Sequence, residues 1–198
     1  MREEKVKRVR EITARVYRSG EVVPDDRSLW DDSTPEERIL TVWELALTCL
    51  AWEGAGAPRF RDLLAEFTAR GVEFLIVEAH ALAAHGHVRA TRDLDVWIAP
   101  TRGNAAKVMD ALKAFGDDLI QPGVVFQIGV APVRIDILTA IDGVDFDEAW
   151  RERFQPRFGD LQVSVLSRKH LIQNKRAAGR PRDRGDLDWL ESDGAEDP

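Results

Sequence analysis

The chain has 198 residues, 44% of them hydrophobic, enough for one globular domain with an appendage and a sizeable core. Its net charge of −7 argues against a surface built as a whole to attract nucleic acid or an anionic membrane. A single cysteine, Cys49, excludes an intramolecular disulfide or a cysteine-based metal cluster, no apolar run is long enough to span a bilayer, and the charged start MREEKVKRVR lacks a secretory apolar core, so a cytoplasmic protein is expected.

Residues 2–18 read as a helix, with Val6, Val9, Thr13, Val16 and Tyr17 at helical spacing and Lys5, Lys7, Arg8, Arg10, Arg15 and Arg18 on the other face. The basic face suits an arm that contacts RNA or an acidic partner, or a solvated amphipathic helix; Glu3, Glu4 and Glu11 dilute the charge and favour the latter. After a polar loop, Thr34, Pro35 and Glu37 predict a capping box opening a second helix. Ile39, Leu40, Val42, Trp43, Leu45, Leu47, Leu50 and Trp52 make it apolar nearly all round, with Cys49 as a small hydrophobe among them, so burial against the rest of the chain or a second subunit is expected. GAGAP at 54–58 reads as a linker. The expected organisation is a helical extension over 1–57, a folded domain over 58–191 and a disordered acidic tail over 192–198.

From Pro58 helices and strands alternate. Phe60, Leu63, Leu64 and Phe67 mark a helix face closed by Gly71; FLIVE reads as a strand, and AHALAAHG as a short helix ended by Gly86. The apolar run Leu94, Val96, Trp97 and Ile98 is a buried strand that also carries Asp93 and Asp95, and i, i+2 spacing places both carboxylates on one side. Carboxylates so placed repel unless a cation or shared proton neutralises them, and an oxygen-only donor set suits Mg²⁺. Helix capping, or pairing with Arg89 or Arg92, is the structural alternative. His80, His85 and His87, at i, i+5, i+7, do not put two imidazoles on one helical face and are not read as a metal site.

Asn104 to Phe115 reads as a helix capped by Gly116, followed by strands over 124–129 and 133–139 joined by a turn containing Pro132. Asp136 stands alone among Val133, Ile135, Ile137 and Leu138, and burying it as a charge is costly unless it is paired, as an ion pair with Arg134 would do. A helix over 146–154, a strand over 161–167 and a long helix from Arg168 to Glu191, capped by Ser167, complete the expectation.

The segment His80, Ala81, His85, Gly86, Arg89, Thr91, Asp93, Leu94, Asp95 resembles the minimal branch of the nucleotidyltransferase superfamily, the polymerase-β-like fold, of the toxin–antitoxin-associated type. There the pattern is a strand ending in Gly-Gly or Gly-Ala, an aromatic or His, Ala, then His-Gly and Arg-x-Thr-x-Asp-Leu/Ile-Asp. Lys175, Gly179, Arg180, Pro181, Asp183, Asp186 and Leu187 match the carboxyl-end pattern of the same branch. The resemblance implies an α/β (α+β) fold with a mixed sheet and flanking helices. It also implies Mg²⁺ held by Asp93, Asp95 and Asp136, and a nucleoside triphosphate met by Glu78, Ala79, His80, Arg89, Thr91, Lys175 and Arg180. Such enzymes transfer a nucleoside monophosphate, often AMP, to a hydroxyl on a protein, RNA or small molecule. Asp183 is expected to cap the final helix or pair with Arg180.

Glu78 stands where the family has a glycine that lets the triphosphate approach the helix start, and it brings a like charge there. Two readings follow: a Mg²⁺-dependent nucleotidyltransferase impaired by Glu78, or a catalytically degenerate, antitoxin-like binding module. The N-terminal helices are expected to serve as a homodimer contact, a lid or a partner site.

Overall fold

Two short parallel strands, β2 (Asp93–Ile98) and β4 (Arg134–Leu138), form the middle of the sheet. β1 (Phe74–Ile76) pairs antiparallel with β2, and β3 (Val125–Ile128) pairs antiparallel with β4, giving the order β1-β2-β4-β3 and the mixed sheet expected from the sequence. The computed structural model describes residues 33–52, 60–89, 91, 93–115, 125–128 and 134–192. The expected helix of 2–18, the linker at 54–58, Arg92, the Gly116 cap, the Pro132 turn and residues 193–198 lie outside these, as do the side chains of Trp43, Cys49 and Trp52.

Helices cover the sheet because its strands bury apolar side chains: Leu75 and Ile76 on β1, Val96 and Trp97 on β2, and Ile135 and Ile137, which flank Asp136, on β4. α2 (Phe60–Ala69) presents Phe60, Leu63, Leu64 and Phe67 and packs with α4 (Arg102–Phe115). Trp97 meets Phe146 of α5 (Phe146–Arg151) edge-on, with ring centroids 4.9 Å apart. Among the described residues no helix is long and apolar enough to cross a membrane.

α1 (Pro35–Trp52) opens with the expected capping box: the Thr34 amide donates to Glu37 Oε2 at 2.9 Å and the Glu37 amide to Thr34 Oγ1 at 3.2 Å. Its Ile39 and Val42 are buried, and Ile39 belongs to the main core. Arg38 ties α1 to α3 (Glu78–Ala84), donating to the carbonyls of Ala83 at 3.1 Å and Ala84 at 2.9 Å. Those carbonyls end α3, where Ala83 also accepts from the Gly86 amide at 3.0 Å, and the guanidinium adds a C-terminal cap from another helix.

Two expected elements come out differently. The strand over 161–167 is divided: Leu161–Gln162 is β6, a two-residue hairpin partner of β5 (Arg157–Phe158), while Val165 makes single bridges to Ile76 and Phe154. The helix over 168–191 is two helices, α6 (Arg168–Ala178) and α7 (Asp183–Ser192), because Gly179 takes a left-handed φ of 57° as a C-cap and Pro181 has no amide to continue the ladder. Ser167 precedes α6, but its hydroxyl lies 2.8 Å from His170 Nδ1 and makes no hydrogen bond to the helix backbone.

The loop after β4 is held against α6 by Asn174, which donates to the Asp142 carbonyl at 2.9 Å, and Gln173, which donates to the Gly143 carbonyl at 2.6 Å. Gly143 has φ 73°, and a Cβ there would stand 2.3 Å from Ala177 Cβ. Gly159 has φ 65° with nothing within 4 Å of the same position. Gly143→Ala should therefore cost about 2–4 kcal/mol, combining backbone strain and overlap, and Gly159→Ala only about 1 kcal/mol, compared by chemical denaturation.

Candidate functional site

The parallel register sets Asp95 directly opposite Asp136 and Asp93 opposite Arg134. With Asp93 and Asp95 on one face of β2, three carboxylates share one wall of a cavity of about 740 Å³. The cavity is also lined by Glu78, Ala79, Arg89, Thr91, Arg134, Asp142, Asn174, Arg180, Arg182 and Asp186, and on its apolar side by Leu138, Ala140 and Ile141. Thr91 Oγ1 accepts from the Asp93 amide at 3.3 Å, which fixes the start of β2.

Arg134 makes the ion pair its place on β4 suggested. Its Nη2 lies 3.1 Å from Asp93 Oδ2 and its Nε 3.2 Å from Asp136 Oδ1, so one guanidinium serves both strands. Among the described residues no three His, Cys, Asp or Glu side chains are already gathered around one point as metal ligands. Arg134 nevertheless leaves the wall short of positive charge. Burial pushes the Asp95 carboxyl up to about 7, with Glu78, Asp136 and Asp93 adding to the shift and Arg134 opposing it. Oxygen-only donors on a cavity wall, one of them with its carboxyl pushed up by burial and by the neighbouring carboxylates, suit a hard divalent ion such as Mg²⁺.

Glu78 begins α3 directly after β1, where the Val77 amide donates to the Asp95 carbonyl at 3.1 Å. It is the one non-glycine among the described residues with positive φ, 51°. An L-residue there is strained by about 1–2 kcal/mol, a cost that glycine would not carry. Its carboxylate reaches Lys175 Nζ, and its other oxygen lies 3.8 Å from Arg180 Nη1. Lys175 is only 2% exposed and also meets Asp183 at 2.9 Å and Asp186 at 3.5 Å. Burial works to depress its amine, but the charge and hydrogen bonds of Glu78 and Asp183 outweigh that and hold it above the ordinary lysine value.

Asp186 carries the network outward. Burial would raise its carboxyl, yet His87, Arg89 and Lys175 hold it below the usual range. Arg89 Nη2 lies 3.4 Å and His87 Nε2 3.5 Å from it, and the His87 ring stacks on Trp189 at 4.8 Å.

Of the residues expected to meet a nucleotide, Glu78, Ala79, Arg89, Thr91 and Arg180 line the cavity with the three aspartates. His80 and Lys175 do not. His80 is buried edge-on to Phe60 at 6.2 Å, and burial, helped by Arg89, lowers its pKa to about 4. It is a neutral core ring. Lys175 lies under the cavity as the counter-charge of three carboxylates, and Asp183 pairs with it rather than with Arg180. Sequence reasoning passed over Arg182, Asn174, Asp142 and the lining role of Asp186; only Arg182, alternating with Arg180 around Pro181, carries a visible signal.

In the metal-free protein the fold binds the Asp95 proton more tightly than the unfolded chain does, so this group's contribution to stability is present at low pH and lost as pH rises from 3.8 to about 7. Asp95→Asn should remove that loss: in magnesium-free thermal melts it is expected to match the parent at pH 4 and to melt about 5 °C or more above it at pH 8.

The sequence matches no protein-family model and no curated protein. Among solved structures, the chain is similar to a candidate nucleotidyltransferase from Thermotoga maritima, at 15% identity and a TM-score of 0.48 over 67% of this chain and 90% of that one. It is also similar to ANT(2″)-Ia in complex with adenylyl-2″-tobramycin, at 17% identity and a TM-score of 0.44 over 67% of this chain and 82% of that one.

Proposed function

We propose that the chain is a nucleotidyltransferase that moves a nucleoside monophosphate from a nucleoside triphosphate to an acceptor hydroxyl. The observation that carries this reading is the in-register pairing of Asp95 with Asp136, with Asp93 on the same face, in a cavity whose rim bears Arg89, Arg180 and Arg182. A volume of about 740 Å³ is in the range of pockets that enclose nucleotide-sized ligands. Asp93, Asp95 and Asp136 would hold Mg²⁺, which when bound would supply charge stabilisation at the α-phosphate and lower the pKa of a bound hydroxyl. Arginine guanidinium groups meet phosphate oxygens with paired donors, so Arg180 and Arg182 suit the outer phosphates and Arg89, oriented by Asp186, the region between them and β2. The acceptor oxygen bonds to the α-phosphorus as the bond to the β-phosphate bridge breaks; pyrophosphate leaves, and the hydroxyl proton goes to solvent. Leu138, Ala140 and Ile141 give the apolar surface a nucleobase or the acceptor requires.

A second reading, an antitoxin-like binding module without catalysis, draws on the Glu78 carboxylate already engaged with Arg180. The two separate in one experiment: the protein is incubated with α-labelled triphosphates, ATP first, and Mg²⁺, with total cell RNA and protein as acceptors. Transfer of label is expected from the parent chain, with a fall of about a hundredfold or more in Asp136→Asn and on chelation of the metal. No transfer from the parent or from Glu78→Gly would favour the binding module.

A further inference from the structure

The cations around the cavity are not equally available. Arg134 is committed to Asp93 and Asp136, and Arg89 to Asp186. Lys175 is enclosed by Glu78, Asp183 and Asp186 with its side chain 1% exposed. Arg180 is held more loosely: its contacts, 3.8 Å to Glu78 and 3.7 Å to Asp142, are too long for hydrogen bonds. Of the cavity cations tied to a carboxylate, it is the one a ligand can recruit at least cost.

Glu78 shapes what that ligand meets. Its left-handed backbone puts a side chain where glycine would leave open space, and its ion pair with Lys175 keeps the carboxylate there. When Arg180 turns to an incoming anion, Glu78 remains anchored on Lys175 and its charge faces the same anion. Building on the nucleotidyl-transfer reading, we propose that Glu78 is a donor-selectivity residue: it competes with the donor's outer phosphates for Arg180 and repels them, so the site discriminates by the number of phosphates beyond the α position. A monophosphate, lacking those charges, is not penalised. The residue thereby limits how tightly a triphosphate, and with it the pyrophosphate product, is held.

The test uses the full chain with Mg²⁺ and compares calorimetric binding of α,β-methylene-ATP, ADP and AMP. Glu78→Gln removes the charge and keeps the Cβ; Glu78→Gly also frees the backbone. Lys175 keeps Asp183 and Asp186 in both, so both are expected to fold, with circular dichroism as the check. Glu78→Gln should tighten the triphosphate analogue by about tenfold, ADP by less and AMP by under about twofold, and Arg180→Gln should remove most of the gain. Glu78→Gly should show the same order. Equal tightening of all three ligands, no change, or weaker triphosphate binding would overturn the proposal while leaving the nucleotide site itself standing. Binding of no nucleotide by any form would overturn both the proposal and the nucleotidyl-transfer reading.

Discussion

The parallel pairing of β2 and β4 is the constraint on which the site depends. Adjacent strands lie about 5 Å apart, and side chains opposite one another in register leave the sheet on the same face. Asp95 and Asp136 are such a pair, with Asp93 one step along the same side. No surface rearrangement can separate them without breaking the middle of the sheet, where Leu94, Val96, Ile135 and Ile137 are buried. A fold that places like charges side by side must supply opposite charge or raise the affinity of one of them for a proton, and this structure does both: Arg134 bridges Asp93 and Asp136, while Asp95 is pushed up to about 7. The unmet need for a cation on this wall is what turns the middle of the sheet into a candidate site.

A second charge network lies beneath the first. Lys175, on α6, draws together Glu78 at the start of α3 and Asp183 and Asp186 on α7. Its burial is tolerated because three carboxylates surround it, and removing the amine would leave them uncompensated, a loss of about 3–5 kcal/mol for a buried pair. This anchoring also accounts for Glu78. A left-handed non-glycine residue persists only where its surroundings hold it, and the Lys175 contact does so. The network reaches the cavity through Asp186, which orients Arg89, and through Glu78, which faces Arg180. The charges that line the cavity and the stability of the fold are therefore coupled at α6 and α7.

The elements most legible in the sequence were those set by local chemistry. The capping box at Thr34 and Glu37 forms, and the alternation around Asp93 and Asp95 predicts a strand with both carboxylates on one side. Asp136 stood out because an ionisable group in an apolar strand needs a partner. What the sequence does not display is which strands become neighbours and which cations sit beneath the surface. Arg134 reads as an ion-pair partner but not as one bridging two strands, since that follows from register. Lys175 reads as a phosphate contact in a basic stretch, and only the packing of α6 against α3 and α7 shows that it is enclosed. The break at Gly179 and Pro181 was written in those residues, yet the helical periodicity on either side masked it.

Cation binding tests the central claim most directly. Mn²⁺ can stand in for Mg²⁺ and is visible by electron paramagnetic resonance, so titration of the protein with Mn²⁺, alone and with α,β-methylene-ATP, reports occupancy of the wall formed by Asp93, Asp95 and Asp136. Saturable Mn²⁺ binding that strengthens with the nucleotide and is lost in Asp95→Asn and Asp136→Asn is the predicted result. Mn²⁺ that binds no more tightly to the parent than to those variants, with or without nucleotide, would contradict the account and leave the three aspartates as a structural cluster neutralised by Arg134 and a proton.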